Sequence, residues 1–147
     1  MPINDFCFKN IVTISKDASL ADAAKLMRDE RIGAIVVANK SKKAVGVLTD
    51  RDIVVGAVAE GKPMNAKVAE VMSKDVLRVP KGAGAADVIE KMEKREVRRA
   101  VVVDGHSHPC GLISSDDLVQ LLGIELNSLG NLVSRQIANE GAARAVQ

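Results

Sequence analysis

Two short stretches set a hydroxyl side chain three residues ahead of a carboxylate: Thr49 and Asp52 in GVLTDRD, Ser114 and Asp117 in GLISSDD. A carboxylate at the first turn of a helix can accept hydrogen bonds from both hydroxyls of a ribose. The hydroxyl residue can bond the same sugar or hold the carboxylate. The glycine that opens each stretch, Gly46 or Gly111, permits close approach of the backbone. The same spacing also makes a helix capping box, in which the two side chains only satisfy N–H groups of the first turn. Ser19 and Asp22 share the spacing and read as a cap alone.

A second chemistry is suggested by Arg98 and Arg99, which open an apolar, β-branched run. Guanidinium groups fork onto phosphate oxygens. The competing reading is a basic helix end, because Lys91, Lys94 and Arg95 come just before and suit a helix C-terminus. His106, His108 and Cys110 are good zinc-ligand types. They sit at a turn with no apparent fourth ligand, so no metal is expected. Nothing assembles a catalytic set: there is no Ser–His–Asp arrangement in a recognisable context and no Walker-type phosphate loop. Gly82 and Gly84 make only a lone GxG. A non-catalytic protein is expected.

These residues are carried by an internal repeat. Gly46 and Gly111 are 65 positions apart, as are Thr49 and Ser114, Asp52 and Asp117, Met27 and Met92, and Asp22 and Asp87. Each copy reads strand, helix, strand, strand, helix. NIVTI and DVLRV are short β-rich runs, and AIVVA and AVGVL are the next strands of the first copy. SLADAAKLMRDER sets Leu20, Ala23, Ala24 and Met27 at helical spacing. DRDIVVGAVAEG places Ile53, Val54, Ala57 and Val58 on one helical face, with Gly61 to end it. The second copy expects a helix over 84–95, strands at 100–103 and 110–113, and a helix from Ser115. A tail follows with Leu126, Leu129, Val133 and Ile137 along one stripe. Each sheet is too small to bury both faces alone, so the two copies are expected to pack sheet to sheet with helices outside. A pseudo-twofold relation then creates two related clefts.

The composition agrees. The 147 residues are 47% apolar, with two Phe and no Trp or Tyr, so the core must be aliphatic. A net charge of +2 and the lack of stacking aromatics argue against nucleic acid as a partner. No apolar run approaches the roughly 20 residues needed to span a bilayer, so no membrane partner is expected. The N-terminal stretch has no basic region followed by an apolar one. A cytoplasmic protein with Cys7 and Cys110 as reduced thiols is therefore expected.

GVLTDRD and GLISSDD, the strand entries IGAIVV and VRRAVVV, and the 65-residue repeat together resemble a cystathionine-β-synthase domain pair, also called a CBS pair or Bateman module. The resemblance covers roughly residues 3–122. It implies an α/β (α+β) fold of two β-α-β-β-α repeats, here residues 3–61 and 68–123, with a linker at 62–67 and an amphipathic tail at 124–147. Some stand-alone pairs carry a label relating them to inosine monophosphate dehydrogenase. That label reflects the pair only, since a catalytic barrel needs roughly 200 residues more.

What the family implies for function is a regulatory sensor of an adenosyl ligand, an adenine nucleotide or S-adenosylmethionine, with no cofactor required. The alternative is a structural protein–protein interaction module that has lost its ligand. A homodimer and a regulated protein of unknown identity are the implied partners. By family geometry, one cleft gathers Ser114 and Asp117, Arg98 and Arg99, Asn10 and Ile11 after Lys9, and Gly33, Ala34 and Ile35. The other, expected to be weaker, gathers Thr49 and Asp52 with Asp75, Val76 and Leu77, and lacks the paired arginines. There Arg51 is the possible substitute.

Overall fold

The computed structural model describes residues 3–6 and 11–145. Two compact units are distinguished, residues 1–113 and 114–147.

Both copies build the same three-stranded sheet. In the first, β1 (Thr13–Ser15) runs parallel to β2 (Ala34–Ala38), which pairs antiparallel with β3 (Ala44–Thr49). The second sheet has the order β4 (Arg78–Pro80), β5 (Arg99–Val103), β6 (Pro109–Ser114). The repeat extends to register: Thr13 faces Val36 in one sheet and Arg78 faces Val101 in the other. Parallel strands need a crossover. It is supplied by α1 (Leu20–Glu30) in the first copy and α3 (Ala85–Lys94) in the second. Each β-hairpin turns through one residue in the left-handed region, Lys42 at φ 61° and its equivalent Ser107 at φ 64°.

Alternation along β2 divides the core. Ile35 and Val37 point to one side, where they meet Leu20, Ala23 and Met27 of α1 together with Leu48, Ile53, Ala57 and Val68. Val36 points to the other side and packs with Ala44, Val76 and Val101, so the two sheets meet face to face through valines and alanine. Strands buried on both faces read as unbroken apolar runs, which is why AIVVA shows no polar alternation.

α1 begins at Ser19, whose hydroxyl accepts the Asp22 N–H at 3.0 Å, and ends at Arg31 in the left-handed region. Ser19→Ala is expected to lower stability by about 1 kcal/mol, measured as a shift of the urea midpoint at constant slope. Its equivalent in α3, Gly84, caps without a side chain. The same change in the second copy therefore has nothing to remove.

The stretch after β3 departs from the expected single α-helix. One α-turn, α2 (Asp50–Ile53), passes into a π-helical turn over Val54–Val58, and Gly61 closes it at φ 68°. Three β-branched valines and Gly56 have little preference for α geometry. The wider turn still keeps Ile53 and Ala57 buried.

The second unit is dominated by α4 (Ser115–Ala145), one unbroken helix of 31 residues. The division between the second repeat and the tail, expected at residue 123, falls inside it. Gly123 costs about 1 kcal/mol against alanine in a helix interior, which is not enough to end a helix of this length. Leu118 and Leu121 are buried, whereas Val119 and most apolar side chains from Leu122 onward are exposed. Among the described residues, no helix is long and apolar enough to cross a membrane.

Candidate functional site

A cavity of about 270 Å³ opens in the first unit, between the end of β3 and two segments of the second copy. Three features hold those segments in place. The Val47 N–H donates to the Ser73 carbonyl at 3.1 Å, and the Ser73 N–H donates to the Val47 carbonyl at 3.0 Å. The Val101 N–H donates to the Leu77 carbonyl at 2.8 Å. The Arg78 guanidinium reaches across to the carbonyl of Ala44 at 2.6 Å. The result is an apolar floor of Val47, Val76, Leu77 and Val97 beneath a charged rim of Arg51, Asp52, Asp75, Arg98 and Arg99.

Asp52 is fixed by its own helix start. It receives the Thr49 N–H on Oδ2 at 2.9 Å, and its own N–H donates to Thr49 Oγ1 at 3.1 Å. The capping box is therefore real, and it uses one carboxylate oxygen. Among the described residues Oδ1 has no hydrogen bond and remains available at the rim. Cap and ribose acceptor are compatible roles for one side chain, because a carboxylate offers about four lone-pair sites. In the second unit the same device recurs. The Ser114 N–H and hydroxyl both donate to Asp117 Oδ2 at 2.7 Å, and the Asp117 N–H donates to Ser114 Oγ at 3.2 Å.

The arginines sit differently from the expectation. Arg98 and Arg99 line the cavity of Thr49 and Asp52, with Val76 and Leu77. That cleft therefore has the paired arginines it was expected to lack. The reason is topological: β5 belongs to the second copy, and its entry lies against the end of β3 of the first. Arg95, from the basic end of α3, forms an ion pair with Asp75, so the helix-end reading holds for Arg95 and not for Arg99. Arg99 is exposed and its guanidinium has no partner among the described residues, as is also true of Arg51. Arg51, Arg98 and Arg99 thus bring three guanidinium groups to the rim, where Asp75 is paired with Arg95.

Of the remaining expected residues, Asn10 lies outside the described residues. Ile11 is half-buried beside the sheet-to-sheet core. Ile35 is fully buried in the core under α1, so only its backbone is open to a ligand. Ala34 is half-buried at the start of β2. The Gly33 carbonyl accepts the Asp50 N–H at 3.0 Å. A Cβ at position 33 would stand 3.1 Å from the Asp50 carboxylate, so glycine keeps this strand entry close to the start of α2. Val47, Ser73 and Val97 were not singled out from sequence. Val97 is the equivalent of Ile32 and could have been found from the repeat.

The turn carrying the histidines has its own organisation. Asp104 accepts the N–H groups of His106 and His108 at 2.8 and 2.9 Å, and these bonds hold its carboxyl below the usual range. The two rings stack at 6.2 Å. Among the described residues there is no group of three or more His, Cys, Asp or Glu able to hold a metal ion. Burial pushes the Cys110 thiol up. In a Cys7→Ser background, Cys110 is expected to react with iodoacetamide at pH 8 more slowly than a free thiol. Alkylation at the rate of free cysteine would contradict this.

Comparison with known proteins gives the same architecture. The CBS domain model matches twice, at residues 3–57 and 68–124. The CBS domain-containing protein YhcV of Bacillus subtilis is 29% identical over 144 residues, 98% of this chain and 91% of that protein. The uncharacterized protein MK0525 of Methanopyrus kandleri is 25% identical over 120 residues, and the match spans 61% of its length. The crystal structure of the CBS domain pair of protein MJ0100, in complex with 5′-methylthioadenosine and S-adenosyl-L-methionine, superposes with a TM-score of 0.75. It is 26% identical and covers 85% of this chain and 98% of that one. Two domain matches in register with the 65-residue repeat, each ending in a hydroxyl–carboxylate helix start, make this chain a member of the CBS domain family, with two CBS domains in tandem.

Proposed function

We propose that the protein is a non-catalytic regulatory module that binds an adenosine nucleotide in the cavity of Thr49 and Asp52. One observation carries the reading: a carboxylate with an open oxygen and three guanidinium groups share the rim of one small apolar-floored cavity. Asp52 accepts the ribose hydroxyls, the floor of Val47, Val76, Leu77 and Val97 takes the base, and Arg51, Arg98 and Arg99 take phosphate. The adenosyl ligands in the MJ0100 structure support the ligand class. The cationic rim favours a phosphorylated nucleotide such as AMP or ATP over S-adenosylmethionine, whose sulfonium would face like charge.

A ligand that touches both copies biases their relative pose, and that change is what a regulated protein in the cytoplasm would read. Exposed Val54, Val55, Val58 and Ile89 on the helical elements offer apolar cover to a second chain, which supports a homodimer. Isothermal titration calorimetry with AMP, ATP, adenosine and S-adenosylmethionine tests the ligand. The expected order places the phosphorylated nucleotides first. Heat from none of the four would discard the reading in favour of a pure interaction module.

A further inference from the structure

The long helix α4 carries an exposed apolar seam that no part of the ligand reading uses. Val119, Leu122, Leu126, Leu129 and Val133 follow one another at spacings of three, four, three and four residues. Their side chains are between 47% and 70% exposed. An alternating three–four spacing is the a/d pattern of a coiled coil, with Val119, Leu126 and Val133 at a and Leu122 and Leu129 at d. We infer that α4 pairs with α4 of a second copy as a short, parallel, in-register two-stranded coiled coil.

Four observations select that occupant. A heptad seam is self-complementary, since its knobs and its holes lie on the same helix, so a second copy fits it without further adaptation. Val at two of three a positions with Leu at both apolar d positions is the combination that favours two parallel strands. Three other apolar side chains on this stretch are exposed: Ile124, which falls at f away from the seam, and Leu132 and Ile137, which are 54% and 65% exposed. Leu132 and Ile137 fall at g and e, five residues apart, and in a parallel pair g of one chain meets e of the other. An antiparallel pair separates them. Beyond the first turn the only charged residues of the helix are Glu125, Arg135, Glu140 and Arg144. Two copies therefore meet without net repulsion.

Gln136 at the next d and Glu140 at the next a end the seam, which is about 21 Å long from Val119 to Val133. Gly123 and Gly130 lie seven apart at e, with open space around both. Glycines weaken a solitary helix, and an exposed helix of this composition gains its stability mostly from packing.

The test uses the full chain with Cys7 and Cys110 replaced by serine and one cysteine introduced. Val133→Cys sits on the seam, and Asn131→Cys sits on the opposite face of the same turn. Under mild oxidation at micromolar protein, Val133→Cys is expected to form a disulfide-linked dimer at least tenfold faster than Asn131→Cys. Circular dichroism of both reduced variants checks that the helix content is unchanged. Equal rates for the two variants would overturn the pairing, whatever the nucleotide titrations show. Cross-linking only in a mixture of Val119→Cys and Val133→Cys chains, and not within either alone, would overturn the parallel arrangement in favour of an antiparallel one. A dimer through the other helices alone leaves Val133→Cys uncoupled and so also counts against the inference.

Discussion

Asp52→Ala is expected to weaken AMP and ATP binding by about 1.5–3 kcal/mol, the range for a lost hydrogen bond to a charged group, or roughly 10- to 150-fold in Kd. The carboxylate of Asp52 has two jobs, and the prediction separates them. Oδ2 holds the Thr49 N–H, so alanine also costs the helix start about 1 kcal/mol of stability. Oδ1 is open at the cavity rim and is the acceptor we propose for the sugar. Asp52→Asn keeps a capping oxygen but loses the charge. It should restore most of the stability and little of the affinity.

The nucleotide supplies the other half of a double-mutant cycle. The 2′-deoxy form should bind the natural protein more weakly than the ribo form, and the two should bind Asp52→Ala alike. If ribo and deoxy forms bind the natural protein equally, Asp52 is a cap and not a sugar ligand. The pair Ser114 and Asp117 provides the comparison. An Asp117→Ala chain that binds nucleotide as the natural protein does, beside an Asp52→Ala chain that does not, assigns the main site to the cavity of Asp52.

The second large effect is expected for the double replacement Arg98→Ala with Arg99→Ala. Loss of both guanidinium groups should reduce AMP affinity by more than tenfold and leave adenosine affinity nearly unchanged, because only the phosphate interacts with them. Salt provides an independent check. Raising the ionic strength should weaken AMP binding to the natural protein, and should have little effect on adenosine or on the double variant. The pH dependence has a definite sign. Arginine stays protonated throughout the accessible range, so the titrating group is the phosphate, whose second pKa is about 6. AMP binding should therefore weaken as pH falls through that value, and adenosine binding should not. Equal losses for AMP and adenosine in the double variant would mean that the arginines shape the cavity and do not bind phosphate.

Much of this architecture was written in local residue patterns. The offset of 65 residues is visible without any coordinates, and it recurs as strand register, with Thr13 opposite Val36 and Arg78 opposite Val101. Short β-branched runs could only be buried strands, and Ser19 could only begin a helix, because those preferences depend on neighbours a few residues away. Thr49 with Asp52 was legible as a pair but not as a role, since a cap and a sugar acceptor require the same spacing. The structure shows the cap made through one oxygen and the other oxygen left at a cavity.

What only the tertiary structure decided is which distant segments share that cavity. Arg98 and Arg99 belong by sequence to the second copy, yet they line the cavity of Asp52 from the first. Packing the two sheets face to face brings the entry of β5 to the end of β3. No local signal reports such a meeting. It follows from how apolar faces such as Val36 and Val101 close on each other. The π turn over Val54–Val58 was likewise visible only in the structure, where it keeps Ala57 buried beside Ile53.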